Sequence, residues 1–153
     1  MDVGVVALAE ALSAPTQTLL TELELYSVEM GDEGIIALAS LIHQGRFEQL
    51  KHLDISGNFG ITQRGFIALL QEINACGLPK LEAILPMDNV TIVWICALAH
   101  ALINRCPKLN EIRLRKSYSV DIDKMRVVIG GMLEAAGRVG EVMVRPEYGY
   151  DDE

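Results

Sequence analysis

Basic residues are in short supply: 13 Lys and Arg stand against 21 Asp and Glu, a net charge of −8. Such a chain is poorly suited to wrapping a nucleic-acid backbone or lying on an anionic membrane, because both require clustered positive charge. Cysteine is also scarce. Cys76, Cys96 and Cys106 cannot pair without leaving one over, and no two are spaced Cys-x-x-Cys. That excludes a disulfide framework and favours a reducing compartment. No apolar run is long, and the longest, Ile92 to Ala99, falls far short of the ~20 residues that span a bilayer. The apolar opening lacks a preceding basic segment and is interrupted by Glu10, unlike a secretory signal. The cytoplasm is the expected location. Half the residues are apolar and low-complexity sequence is scarce, so a disordered chain is excluded as well.

Catalytic patterns are missing too. There is no G-x-x-x-x-G-K-[ST] and no glycine pattern after a strand that would cradle phosphate. His43 and His52 have no Ser or Cys partner in a recognisable nucleophile motif. Cys96 and His100 stand at the i, i+4 spacing of two helical metal ligands, with Cys106 soon after. In the repeat alignment below, however, Cys96 takes the slot of Val6, Ile36 and Ile67, and Cys106 the slot of Phe47 and Leu78, both read as core. Cys76 lies beside Gly77 at a helix end, with nothing to activate it. Neither a catalytic residue nor a metal nor a cofactor is expected, and the chain is read as not being an enzyme.

What the sequence has is repetition. At 153 residues it is one domain long. The pattern L-x-x-L-x-L appears at Leu20–Leu25, again as Leu50-x-x-Leu53-x-Ile55 and Leu109-x-x-Ile112-x-Leu114, with weaker copies at Leu81-x-x-Ile84-x-Pro86 and Val139-x-x-Val142-x-Val144. Its central positions, 23, 53, 84, 112 and 142, are 30, 31, 28 and 30 residues apart. A second comb, Ala7-Leu8-Ala9, Ala37-Leu38-Ala39, Ala68-Leu69-Leu70, Ala97-Leu98-Ala99 and Val128-Ile129-Gly130, keeps the same beat. Two combs in step define a repeat protein.

Each unit has a physical reading. The L-x-L segment alternates with period two and predicts a short strand with one face in the core. The segment that follows, as in Gly34–Ile42, carries apolar residues at helical spacing and alanines where helices approach closely. Gly4, Gly34 and Gly65 stand at the turn into each helix, with Asp32 and Thr62 just upstream as capping candidates. Short strand–helix–strand connections require parallel strands on one side and helices on the other, and no unit buries its apolar face alone. The predicted architecture is α/β: a right-handed solenoid, or horseshoe, of about five repeats, with a parallel sheet on the concave face and helices on the convex face. The domain is expected over residues 1–146, with 147–153 as an acidic tail.

These residues resemble the leucine-rich-repeat family, in particular its ribonuclease-inhibitor-like class with the motif L-x-x-L-x-L-x-x-N and a G-x-x-A-L-A helix. Leu50-Lys51-His52-Leu53-Asp54-Ile55-Ser56-Gly57-Asn58, leading to Gly65-Phe66-Ile67-Ala68-Leu69, is the best match. Departures are Val28 and Ser117 at the Asn position, Pro86 at a core strand position, and Trp94 and Met125 at the glycine position. A narrower likeness links Leu109–Leu114, the following helix through Glu134 and a final strand to the end of the tropomodulin C-terminal domain. The wider resemblance implies protein recognition; the narrower implies binding of actin.

Residues between the leucines are expected on the concave face. The row Glu24, Asp54, Leu85, Arg113 and Met143 runs from acidic through apolar to basic. Apolar side chains rimmed by charge suit a protein interface. Leu85, Met87 and Tyr26 are the expected anchors, with Arg113, Arg115 and Arg145 for acidic groups and Glu24 and Asp54 for basic ones. Trp94 either covers a gap in an irregular repeat or stands out as an anchor. Residues 1–45 hold seven acids and no Lys or Arg, giving the solenoid an electrostatic polarity. The chain opens on the helical half of a repeat, so the strand around Leu23 has an open edge for pairing, expected either because the chain is cut from a longer repeat protein or because a partner or second copy covers that edge. The expected function is a non-catalytic scaffold or regulatory module whose partner is another protein, neither nucleic acid nor membrane, with self-association through that edge a further expectation. The alternatives are a tropomodulin-like cytoskeletal protein and a structural subunit of a larger assembly.

Overall fold

The computed structural model describes residues 2–14, 19–86, 91–115 and 121–147. Among them, five helices alternate with five strands: α1 (Val3–Ser13), β1 (Glu22–Glu24), α2 (Asp32–His43), β2 (His52–Asp54), α3 (Gln63–Cys76), β3 (Ala83–Leu85), α4 (Ile92–Arg105), β4 (Glu111–Arg115), α5 (Ile122–Ala135) and β5 (Met143–Glu147). The strands form one parallel sheet in sequence order. Leu23, Leu53, Ile84 and Ile112 stand side by side across it and are all buried. The second comb supplies the opposing wall: Ala9, Leu38, Leu69, Leu98 and Ile129 are buried against the strands in one continuous core. Each helix packs on the next. The alternating α/β solenoid is as expected.

Neighbouring repeats are joined by side chains that cross between them. Asn58, fully buried, donates through Nδ2 to the carbonyls of Leu25 (2.7 Å), Ile55 and Ser56, and its Oδ1 accepts from the Met30 N–H at 2.9 Å. Asp32 does not cap its own helix, as its upstream position suggested. It is the first residue of α2, and its carboxylate accepts from Thr62 Oγ1 (2.6 Å), Thr62 N (2.7 Å) and Gly65 N (3.1 Å) at the start of α3. Asp2 does the same one repeat earlier, accepting from the Gly31 N–H. A Cβ on Gly65 would collide with Asp32 Oδ1 and Ile35 Cγ2, and one on Gly34 with Asp2 Oδ1 and Met30 Cγ. The glycines are therefore required by the carboxylate of the preceding repeat. At the C-terminal ends, Arg46 donates to Ser13 O (3.1 Å) and Arg105 to Ala75 O (2.9 Å), occupying carbonyls that a helix leaves unpaired.

Irregular repeats depart in explicable ways. In β1 and β2 the ladder continues one step past the strand, Leu25 N to Asp54 O and Ile55 N to Leu85 O. Pro86 occupies the equivalent position in β3 and has no N–H to give, so the β3–β4 ladder stops after two pairs. Trp94, at the glycine position of α4, is half-buried and stacks on Phe66 of α3, with centroids 5.0 Å apart and planes 11° from parallel. It fills the gap between helices and is not a free-standing anchor. The slot of Val6, Ile36, Ile67 and Cys96, read as core, is half-exposed, with Ile67 41% accessible.

The fifth rung falls two residues later than predicted: Val144, not Val142, pairs with Ile112. The link from α5 is longer than its counterpart after α4. It turns through Gly137 and Gly140, both at positive φ. Arg138 ties it down, donating to the carbonyls of Ile103, Cys106, Pro107 and Leu109 and to Glu141 Oε2. Strand β5 runs to Glu147, one residue into the expected tail; the rest of that tail lies outside the described residues.

Candidate interaction surface

Side chains alternate along each strand, so the residues flanking the buried leucines line the sheet face turned away from the helices. Two rows cross it. Glu22, His52, Ala83, Glu111 and Met143 are paired in register. In the second, Glu24, Asp54 and Leu85 are paired, Arg113 pairs with Arg145, and Leu85 and Arg113 each follow the Ile84–Ile112 pair. Met143 therefore leaves the row assigned to it from spacing, and Arg145 takes its place beside Arg113. Because the shift is even, both keep their face.

At the acidic end Glu22 and Glu24 are exposed. His52 Nδ1 is 3.9 Å from Glu22 Oε1, and its Nε2 is 3.9 Å from Glu82 Oε2, which belongs to the same carboxylate that Lys51 approaches to 3.5 Å. Asp54 is half-buried and accepts from both the backbone N–H and the hydroxyl of Ser56 (2.9 and 2.6 Å). Tyr26, beyond the end of β1, is 47% exposed beside Gly57. The loop it begins is strained, with Ser27 and Glu29 both at positive φ.

In the middle Ala83 is buried and Leu85 half-buried, so the apolar centre is shallow and recessed. Met87 lies outside the described residues. Arg115 is placed by its backbone alone, paired with Glu147.

The basic end is organised by Glu111, which was not among the residues expected to bind. Its carboxylate is buried; Oε2 accepts from Arg113 Nη2 at 2.9 Å and Oε1 lies 3.1 Å from Arg145 Nε. Arg145 also points Nη2 at Met143 Sδ, 3.4 Å away. Two guanidiniums directly opposite across a parallel pair repel each other, and a carboxylate between them offsets that repulsion, hydrogen-bonded to Arg113 and ion-paired with Arg145. The Glu111–Arg113 half of this arrangement was visible as two charges two residues apart on one strand. The Arg145 half depended on the register of the fifth rung.

The cysteines and histidine weighed as metal ligands do not converge. Cys106 is fully buried, and burial pushes its thiol up to about 11; Cys96 is half-buried and His100 exposed. No helix among the described residues is long and apolar enough to cross a membrane.

Comparison with known proteins bears on this surface through the fold. No protein-family profile matches the chain. It is 30% identical over 105 residues to baculoviral IAP repeat-containing protein 1f of the mouse, Mus musculus, a match covering 65% of this chain and 7% of that protein. The chain thus spans a small fraction of that relative's length. It also superposes on the solved structure of leiomodin-1 actin-binding site 2 with a TM-score of 0.65 and 12% identity, over 97% of this chain and 79% of that one. At that identity the likeness establishes architecture, and the architecture is a leucine-rich-repeat solenoid.

Proposed function

We propose that this leucine-rich-repeat domain is a non-catalytic protein-binding module, a scaffold or regulator that engages its partner through the open face of the sheet. The carrying observation is the charge gradient across that face, from exposed Glu22 and Glu24 on β1 to Arg113 and Arg145, set by Glu111, on β4 and β5. A partner that fits it presents basic groups to the first strands, acidic groups to the last, and an apolar contact to Leu85. Such complementarity acts mainly on specificity and on the rate of encounter. The free cysteines support a cytoplasmic setting.

A photo-crosslinking side chain placed at position 85 tests this, with position 93 on exposed Val93 of α4 as the control. The partner captured from position 85 should lose at least about tenfold in affinity with Leu85→Glu, a cost of about 1.4 kcal/mol, while circular dichroism and melting stay unchanged. Equal capture from both positions, or affinity insensitive to Leu85→Glu, moves the interface elsewhere.

A second reading, actin or another cytoskeletal protein as the partner, draws on the tropomodulin-like C-terminal part and on the superposition with leiomodin-1 actin-binding site 2. Co-sedimentation with filamentous actin and titration of monomeric actin check it. Saturable binding lost in Arg145→Glu selects this reading, and absence of binding to either form removes it. A role as a subunit of a larger assembly would instead use the outer edge of β1, the first strand of the sheet among the described residues, and light scattering reads that directly.

A further inference from the structure

We propose that the ends of α2 and α3 hold a site for a thiolate-binding divalent cation, zinc above all, formed by His43, Glu72 and Cys76. The site is separate from the sheet face and does not depend on its function. His43 is the last residue of α2, while Glu72 and Cys76 stand one turn apart on α3 and share a face of it. The register of the two helices brings these donors together. His43 Nδ1 is 3.1 Å from Glu72 Oε2, Cys76 Sγ is 4.0 Å from the same oxygen, and all three donor atoms lie within 4.8 Å of one another. Around a tetrahedral zinc with bonds of about 2.0–2.3 Å, ligand atoms sit roughly 3.3–3.8 Å apart. The observed triangle needs only about 1 Å of closure. His43 and Cys76 are both exposed, so side-chain rotation suffices.

The donor set selects the ion. One imidazole nitrogen, one carboxylate oxygen and one thiolate favour zinc or cobalt and disfavour magnesium and calcium, which prefer oxygen alone. Glu72 and the ionised Cys76 together balance the charge of a divalent cation. On binding, Cys76 releases its proton to solvent as the sulfur–metal bond forms, and His43 coordinates through neutral Nδ1, giving up its contact with Glu72. Three protein ligands leave one position for water or for a donor from another molecule. A cleft of about 260 Å³ adjoins the site, lined by His43 and Cys76 together with Gly45, Glu48, Leu78 and Pro79. Three protein ligands beside an accessible space is the arrangement of zinc sites that bind a fourth, exchangeable ligand.

The ordinary alternative is a surface ion pair between His43 and Glu72 with a bystander thiol, which makes sulfur the discriminating atom. The 153-residue chain is titrated with Zn²⁺ by calorimetry and with Co²⁺ by absorption. The proposal expects one ion per chain, a sulfur-to-cobalt charge-transfer band that Cys76→Ser abolishes and Cys96→Ser leaves intact, and binding weakened roughly tenfold or more by His43→Gln and by Glu72→Gln. Zn²⁺ should raise the melting temperature of the parent chain and not that of Cys76→Ser. His43 and Cys76 are exposed and Glu72 is half-buried, and each variant's melting temperature without metal verifies that it folds. Absence of the charge-transfer band, its persistence in Cys76→Ser, or binding unchanged in His43→Gln overturns the site.

Discussion

Asp32 shows how much one side chain contributes to joining two repeats. Burial tends to raise its pKa, but the Thr62 hydroxyl, the backbone N–H groups of Thr62 and Gly65 and the nearby Arg64 outweigh that and hold it below the ordinary carboxylate range. A carboxyl depressed in the folded state contributes stability that is fully present above its unfolded pKa and lost as pH falls through the folded one. The parent chain should therefore lose stability between roughly pH 4 and lower values, and Asp32→Asn should flatten that part of the curve; urea midpoints across pH 2–6 would show it, and parallel curves would count against the interaction. Gly65 is the partner constraint. Gly65→Ala should cost about 1–3 kcal/mol, because the new methyl meets Asp32 and Ile35. Gly130→Ala in α5, where a Cβ meets nothing within 4 Å, should instead stabilise by about 0.5–1 kcal/mol. Opposite signs in denaturant unfolding are the expected result. Gly65 was legible as part of the repeat pattern; that Asp32 serves the next helix was not, because a capping residue in a solenoid has two helix starts within reach and only the stacking distance chooses between them.

Among the elements, α4 is the instructive departure. Trp94 stands where earlier repeats place glycine, and α3 begins with Gln63 where α2 begins with Asp32, so no carboxylate from the preceding repeat makes glycine necessary. Thr91 caps α4 locally through a contact with Trp94 N, and Asp121 caps α5 through Asp123 N and Lys124 N. The indole uses the vacated space to stack on Phe66. Trp94→Ala should cost about 2 kcal/mol, of which roughly 0.5–1.5 belongs to the ring pair. Phe66→Ala in the Trp94→Ala background should then cost less than it does alone, by that amount. Additive costs in the double-mutant cycle would refute the stacking account. Strand β3 was legible in its faults: Pro86 stood out in the sequence at a core strand position, and a proline has no N–H for the ladder. The sequence signal that would have corrected β5 was Gly137 and Gly140 flanking Arg138, a longer turn than its counterpart before β4.

For the whole molecule, a linear stack means that each repeat is held by its neighbours alone, so opening should begin at the ends. Cys106 reports on this. It is fully buried, and its thiol stands at about 11, so at neutral pH it is neither accessible nor ionised. Cys76 is exposed. Alkylation of the native chain should modify Cys76 within minutes and Cys106 only at the rate of an unfolding that reaches α4 and β4, a rate that rises with urea. Equal reactivity of the two would mean that the fourth repeat opens readily. The open sheet face is a whole-molecule property of the same kind. Its acidic end was readable from the absence of Lys and Arg before residue 46, whereas its basic end took shape only when Glu111, Arg113 and Arg145 were placed on adjacent strands.

Periodicity by itself determined the architecture: apolar residues recurring every thirty or so positions cannot be buried within one unit, so the units must stack, and strands joined by short helices must run parallel. Tertiary structure alone decided which residues meet across repeats. Arg145 lies beside Arg113, Asp32 holds the next helix, Trp94 lies on Phe66, and His43 joins Glu72 and Cys76. These pairings separate partners by roughly 30 residues, and a shift of two positions in one link redirects a whole rung without disturbing the hydrophobic beat. The beat is set by burial, which tolerates any even slip; the contacts are set by hydrogen-bond and ring distances of a few ångströms, which do not.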